Sequence, residues 1–345
     1  MRHIQRYREI AVAFSRNGFG YVVKELGLDQ LFPLPRRLIV KRKQEEYSKS
    51  VGIRIRSFLE ELGPAFIKIG QMASTRPDLI PADVIKELEQ LQDQISPVSW
   101  EEIRTILERE LAAPLEDIFQ DFDKSPIGVA SIGQVHKATL KSGETVAVKV
   151  QRPSIEKTIH TDLEILHELA DRAEDRLKSA AKYQIKDMIT EFSKAIKEEL
   201  DFINEGRNAD LMARQFSDDK DLIIPKIYWP YSTKKVLTME FIEGIKLNDL
   251  EALEKNGYAT EQLAEKLVQV IFYQIFKDGF FHADPPHNGN VLALTGNRIA
   301  LMDFGMAGRL SPEMKTHLAS LIMAMVKQDS HDMIRAIKKM GGCSR

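Results

Sequence analysis

Two aspartates, Asp284 and Asp303, stand 19 positions apart, with an asparagine, Asn290, between them. The intervening chain holds two short apolar runs, 290–294 and 298–302, split by the turn signal Thr295-Gly296-Asn297. That pattern predicts a β-hairpin. A hairpin returns the chain to where it left, so both carboxylates would face one small volume. Phosphoryl transfer needs such an arrangement: one carboxylate to position a nucleophile, and another, with an asparagine, to hold Mg²⁺ on the phosphates.

Such a site also needs a cation for the phosphates and a backbone loop to cover them. Lys149 lies in Val146-Ala147-Val148-Lys149-Val150, a predicted strand whose valines put the lysine on the opposite face. Taken alone, a strand lysine is more often a solvent-facing charge. In a phosphate site its partner is a carboxylate on a packed helix. Glu205, late in the helical stretch that follows, is well placed to form that ion pair. Gly128, Val129, Ala130 and Ser131 open a run of small residues whose N–H groups could approach phosphates. The run is not a Walker A motif and lacks the full GxGxxG spacing; an ordinary tight turn fits as well. Residues 237–244 end a strand and enter a polar linker. In a kinase-like fold this is the hinge, where backbone groups of Glu240 and Ile242 would bind adenine; a plain strand end fits equally. Lys68 and Gln71 share one helical face, and Glu199 and Asp201 read as surface acids. By spacing alone these four carry little.

Composition narrows the classes. The chain's 345 residues suffice for two lobes and an extension, and 43% hydrophobic content supports sizeable cores. Lys+Arg is 49 and Asp+Glu 51, a net charge of −2 that gives no reason to expect a nucleic-acid partner. A local basic run, Arg36-Arg37 to Lys41-Arg42-Lys43, could touch anionic lipid, although a solvated face is the plainer reading. The single cysteine, Cys343, excludes an internal disulfide and suits a reducing, cytoplasmic setting. There is no signal peptide, and no run reaches the roughly 18–20 apolar residues of a membrane span.

The positioning elements follow in order. Residues 1–30 show helical spacing, weakened at Gly18 and Gly20. A second amphipathic helix spans 44–62, and Gly63-Pro64 breaks it and opens a third. Another runs over about 81–92, and Ser99-Trp100-Glu101-Glu102 is a capping box for the next. The first 112 residues are therefore all helical. Two β-rich runs within 133–151 flank the turn Lys141-Ser142-Gly143-Glu144. A long helical stretch is expected over 153–215, strands over 222–228 and 234–241, and helix again to 276. Ser311-Pro312-Glu313 and Ser330 start two last helices, the second ended by Gly341-Gly342.

Taken together, these motifs resemble one family. Lys68-Ile69-Gly70-Gln71 looks like its KxGQ motif, and 128–134 its alanine-rich nucleotide loop. Lys149 matches its strand lysine, Glu199-Leu200-Asp201 its ExD motif, and Glu205 the lysine's partner. His282-Ala283-Asp284 and Asp303-Phe304-Gly305 match its catalytic and metal motifs. The family is the UbiB/AarF-like atypical kinases, linked to ubiquinone and other isoprenoid-lipid metabolism, and the resemblance covers nearly the whole chain. It implies that the helical extension folds over the protein-substrate site, so that Lys68, with Gln71, gates the active site against Glu199 and Asp201. Ordinary protein phosphorylation is then disfavoured relative to ATP hydrolysis or phosphorylation of a small or lipid-like substrate.

Three departures stand out. The loop reads Gly128-Val129-Ala130-Ser131 where the family has three alanines before the serine, which would make it more like a glycine-rich loop. The catalytic segment 283–290 carries one extra residue, so that the position five after Asp284 is Gly289. Asn290 keeps the expected Gly-Asn-Val context as metal ligand, with Asn288 the runner-up; the shift would alter Mg²⁺ geometry and could impair activity. Finally, members continue with more helices and often membrane spans, which implies that a chain ending at Arg345 is a fragment or truncated product.

The expectation is an α+β, protein-kinase-like bilobal fold. An N-terminal helical extension covers 1–112, a small β-rich N-lobe with a long helical insert 113–242, and a helical C-lobe, cut short, 243–345. The expected cofactors are ATP and Mg²⁺. Lys149 holds the α/β phosphates, Glu205 orients it, Asp303 and Asn290 bind the metal, and Asp284 is the base or nucleophile-positioning group. The expected role is an atypical kinase or ATPase supporting isoprenoid-quinone or related lipid metabolism, membrane-associated by resemblance, with membrane lipids and lipid-biosynthetic enzymes as partners. The alternative is a nucleotide-binding pseudokinase that scaffolds such an assembly. An antibiotic- or choline-type phosphotransferase shares the HxD…N and D logic, but KxGQ argues against it.

Overall fold

The computed structural model describes residues 3–28, 50–77, 79–92, 96–177, 184–283 and 290–340. Asp284, Asn288, Gly289, the basic run near Arg36, Cys343 and Gly341-Gly342 lie outside the described residues. Contacts divide the chain into two compact units, 1–143 with 148–200, and 144–147 with 201–345. This grouping differs from the expected boundaries at 112 and 242. The physical reason lies in the first unit, where the N-terminal helices bury their faces on the helices that follow the first sheet.

In that unit the helices run α1 (Ile4–Arg16), α2 (Gly20–Glu25), α3 (Val51–Leu62), α4 (Pro64–Ser74), α5 (Ala82–Leu88), α6 (Trp100–Leu111) and α7 (Leu115–Ile118). The chain stops α1 at Asn17 and restarts beyond Gly18, which takes a φ of 79°. Pro64 sits in the first turn of α4, and the Ser99 hydroxyl accepts from Glu102 N–H at 3.4 Å to cap α6. Phe58 is the hub of the extension: its ring lies 4.3 Å from Phe14 and 6.1 Å from Phe66, joining α1, α3 and α4. Strands β1 (Phe119–Phe122), β2 (Gly128–Val129), β3 (Gly133–Leu140) and β4 (Thr145–Gln151) follow. β3 pairs antiparallel with both β1 and β2, and β4 lies on its other side.

The long helical stretch resolves into α8 (Ile155–Arg176), α9 (Ile185–Glu199) and α10 (Phe202–Gln215). α8 and α9 pack on each other and on α4. Arg6 on α1 grips the fully buried Asp162 of α8 with one guanidinium edge, Nε and Nη2 donating to the two carboxylate oxygens at 2.7 and 3.0 Å, and also donates to the Leu62 carbonyl. Burial pushes the Asp162 carboxyl up, and the Arg6 cation opposes that shift.

The second unit takes residues 144–147, which include the start of β4. There Phe241 N–H donates to Thr145 O at 3.1 Å, beside β6 (Val236–Glu240), which follows the two-residue β5 (Leu222–Ile223). The expected strand over 222–228 is thus much shorter. The expected helix from 244 is interrupted by β7 (Ile245–Lys246) before α11 (Leu250–Lys255) and α12 (Thr260–Tyr273). A π-turn over Gln274–Asp278 then leads into β8 (Phe280–His282). The hairpin is present as β9 (Val291–Leu294) and β10 (Arg298–Leu301), in a sheet ordered β5-β10-β9-β7. β11 (Ala307–Arg309) pairs antiparallel with β8, and α13 (Pro312–Val326) and α14 (Ser330–Lys339) complete the chain. Asp329, one residue earlier than Ser330, caps α14 by accepting from Asp332 N–H.

Candidate functional site

The site residues fall into two groups, one in each unit. In the first unit, Lys68 projects from α4 to Glu199 at the end of α9, with Nζ 2.8 Å from Oε1 and both side chains only 14% exposed. The glycine between Lys68 and Gln71 has a separate, steric reason. A Cβ on Gly70 would stand 2.2 Å from Leu91 and 2.7 Å from Leu59, so only glycine lets α4 lie this close to α3 and its neighbour. Gln71 is half-buried on the same helix.

Lys149 is half-buried on a strand whose Val146, Val148 and Val150 are fully buried, as the alternation requires. The buried Gln151, two residues on, donates to the Leu200 carbonyl and so holds the turn that follows Glu199. The small-residue loop is tighter than an open glycine-rich loop. Gly128 and Val129 form β2, paired with Val135 and Gln134, and Ala130 N–H closes the turn on Gly133 O at 2.8 Å. Ser131 is buried. Gly128 does not have a positive φ, and no atom lies within 4 Å of a Cβ built on it. Its departure from alanine therefore has no steric cause.

The second group lies in the other unit. Asp201 caps α10: its carboxylate accepts from Ile203 N–H at 3.1 Å, and Lys234 Nζ lies 4.0 Å away. An aspartate beside a helix N-terminus meets unpaired N–H donors, which gives this carboxylate a local structural role. Glu205 is buried in the first turn of the same helix. Gly206 beside it admits no side chain, since a Cβ would meet Trp229 at 2.8 Å. One turn after Glu205, Asn208 Nδ2 donates to Phe304 O at 2.9 Å, tying α10 to Asp303-Phe304-Gly305. At the strand end, Glu240 N–H donates to Lys226 O at 2.8 Å, so that backbone donor is already engaged. The Ile242 N–H makes no backbone hydrogen bond among the described residues.

Around Asp303 the geometry is tightly specified. Asp303 Oδ1 accepts from Gly305 N–H at 2.9 Å, turning the chain immediately after the carboxylate. On one side, Met302 N–H donates to Asn290 O at 2.9 Å. On the other, Ala283 N–H donates to Met306 O at 3.0 Å, continuing the β8–β11 pairing of His282 with Ala307. Residues 283 and 290, which bracket the segment containing Asp284, are thus both fixed to the chain beside Asp303. His282 is buried, its ring 5.7 Å from that of Phe304, and its N–H donates to Gln274 Oε1 at 2.8 Å. Burial pushes the His282 imidazole below its usual range, while the charge and backbone of Asp303 pull the other way. The side-chain oxygens of Asp303 and Asn290 are the hard donors Mg²⁺ prefers, so these residues fit that ion.

Sequence reasoning missed Asn208, Gln151 and Gln274. Only Asn208 left a signal, its i, i+3 spacing from Glu205 on one helical face.

The family model for the ABC1 atypical kinase-like domain matches residues 90–337. The chain belongs to that family, the UbiB/AarF-like atypical kinases. It is 41% identical over 284 residues to a protein of Marinobacter nauticus named probable protein kinase UbiB, covering 81% of this chain and 52% of that one. An uncharacterized protein from the hydrogenase 1 5′ region of Clostridium pasteurianum is 38% identical, over 98% of this chain and 60% of that one. The chain therefore spans about half the length of these relatives. Among solved structures, Rv3197 of Mycobacterium tuberculosis, in complex with erythromycin, matches with a TM-score of 0.59 and 25% identity, covering 81% of this chain and 70% of that one. The kinase-like α+β fold agrees with the family. Among the described residues, no helix is long and apolar enough to cross a membrane.

Proposed function

We propose that this chain is an atypical kinase or ATPase that binds Mg²⁺-ATP and supports isoprenoid-quinone or related lipid metabolism. The observation that carries the reading is the double fixing around Asp303, with Asn290 held at Met302 and Ala283 at Met306. It gives a kinase-type metal site its two required neighbours, an asparagine and the chain that leads into the catalytic aspartate. In this reading Asp303 and Asn290 hold the ion, which would offset charge on the phosphates. Lys149 binds the α/β phosphates, Glu205 orients Lys149, and Asp284 positions the nucleophile. The Glu240 carbonyl and Ile242 N–H receive adenine, and residues 128–131 cover the phosphates. Lys68 and Glu199 form the gate that disfavours a protein acceptor, leaving water or a small, lipid-like substrate. Membrane lipids and lipid-biosynthetic enzymes, the expected partners, belong to the same proposal.

A second reading, a nucleotide-binding scaffold without turnover, is favoured by the extra residue between Asp284 and Asn290. Calorimetric titration with Mg²⁺-ATP beside steady-state ATP turnover separates the two. Binding with turnover is expected, and turnover should fall sharply in Asp303→Asn. Binding without turnover, recovered by deleting Pro286, selects an enzyme impaired by its loop. Binding without turnover that the deletion does not rescue selects the scaffold, and absence of binding removes both readings.

A further inference from the structure

The loop at 128–134 is held from behind by a residue outside every motif used above. Arg152 is the first residue after β4. Its backbone N–H donates to Ile132 O at 2.9 Å, and its Nε donates to Ala130 O at 3.2 Å. Its Nη2 donates to Ser96 O at 2.7 Å, on the segment that leads into α6. The fully buried Gln134, on the loop's return strand, grips the same segment: its Oε1 accepts from Val98 N–H at 2.7 Å and its Nε2 donates to Val98 O at 3.4 Å. All these groups lie within the first unit.

Two features separate Arg152 from an ordinary surface arginine. Among the described residues it has no carboxylate partner; its side-chain acceptors are two backbone carbonyls, one on the loop and one on the linker. Burial pushes the guanidinium down from its ordinary range, with no anion to offset the shift. The carbonyl it holds also sets the loop's polarity. In a trans peptide the C=O and N–H of one unit point in opposite directions. Holding Ala130 O therefore turns Ser131 N–H away from Arg152.

We propose that Arg152 is a positioning residue for the nucleotide loop: it clamps the Ala130 and Ile132 carbonyls to the Ser96 linker and so presents the Ser131 amide to the phosphates. This rests on the nucleotide reading given above. Gln134 makes the clamp two-pointed, so the linker of the helical extension and the loop move as one piece. Lysine is a poor substitute, because it has no planar fork to span two carbonyls.

The test compares wild type, Arg152→Lys and Arg152→Ala in the full chain. Amide hydrogen exchange is followed at 126–135 without nucleotide, and KM for ATP and kcat are measured separately. Loss of one charge-assisted hydrogen bond corresponds to about tenfold. Both variants should therefore exchange about tenfold faster across the loop and show KM raised by about tenfold, with kcat within about twofold. Arg152→Lys covers the case in which Arg152→Ala fails to fold. Unchanged loop exchange in Arg152→Lys overturns the clamp whatever the kinetics show. Faster exchange throughout the first unit also overturns it, because the role is then general stability. If wild type binds no ATP but Arg152→Lys loosens only the loop, the clamp stands and the nucleotide reading falls.

Discussion

Two of the ion pairs that fasten the N-terminal helices of the first unit are built differently. Arg6–Asp162 is a bidentate fork on a carboxylate with no exposure, with a backbone carbonyl as a further acceptor. Lys68–Glu199 is a single contact at 2.8 Å between two side chains that each keep some exposure. Removing Arg6 strands a charge that water cannot reach. Removing Lys68 leaves a carboxylate that can turn towards solvent. The first pair is a fixed clasp, whereas the second can open at modest cost, which the proposed gate requires. Family resemblance drew attention to the gate and said nothing of the clasp.

The contrast can be broken by mutation. Arg6→Ala should destabilise the chain by about 3–5 kcal/mol, the cost of an uncompensated buried charge, read as a lowered denaturation midpoint. If Arg6→Ala and Lys68→Ala cost the same, the distinction between clasp and gate fails. Lys68→Ala should cost only about 1–2 kcal/mol, between the ranges for exposed and buried pairs, while changing nucleotide preference or autophosphorylation. An unaltered nucleotide profile would count against gating.

A third test uses pH, because each unit contains a buried histidine pushed below its usual range. These are His136, whose ring bonds the Asp123 carbonyl at 2.8 Å, and His282. A buried neutral ring takes up its proton more readily in the unfolded chain. Stability is therefore full above the ordinary histidine value of about 6.5 and is lost as pH falls below it, towards the lowered folded values. Melting temperature should decline as pH drops from about 7 to 5.5, and His282→Gln should flatten the decline. A flat profile in wild type would contradict the burial argument. The smallest effect is expected at Gly128→Ala, which should shift stability by less than about 0.5 kcal/mol because its Cβ meets nothing. A larger loss would show that this glycine matters to the loop after all.

What the sequence reveals depends on whether a contact is local. The β9–β10 hairpin, the Pro64 and Ser311 helix starts and the face of Lys149 were legible because period, turn and cap chemistry act within a few residues. The three-residue strands β8 and β11 were not, since each is too short to show alternation and is defined only by its partner. The cap made by Asp201 went unread although it is local, the N–H of Ile203 being two residues away, because the pair Glu199 and Asp201 was read through the family resemblance. Arg6 with Asp162 was invisible because 156 residues separate two charges that look ordinary.

The bonds at Ala283 and Asn290 also bear on how the catalytic segment tolerates insertion. Each end is moored to its own post, Met306 or Met302, and neither mooring depends on the number of residues between them. A change in length there cannot push Asn290 along β9 or alter its register against Met302. The extra residue between Asp284 and Asn290 is therefore confined to the stretch between these two moorings. Evolution can lengthen or shorten this stretch while the backbone register of Asn290 and of the chain beside Asp303 stays in place.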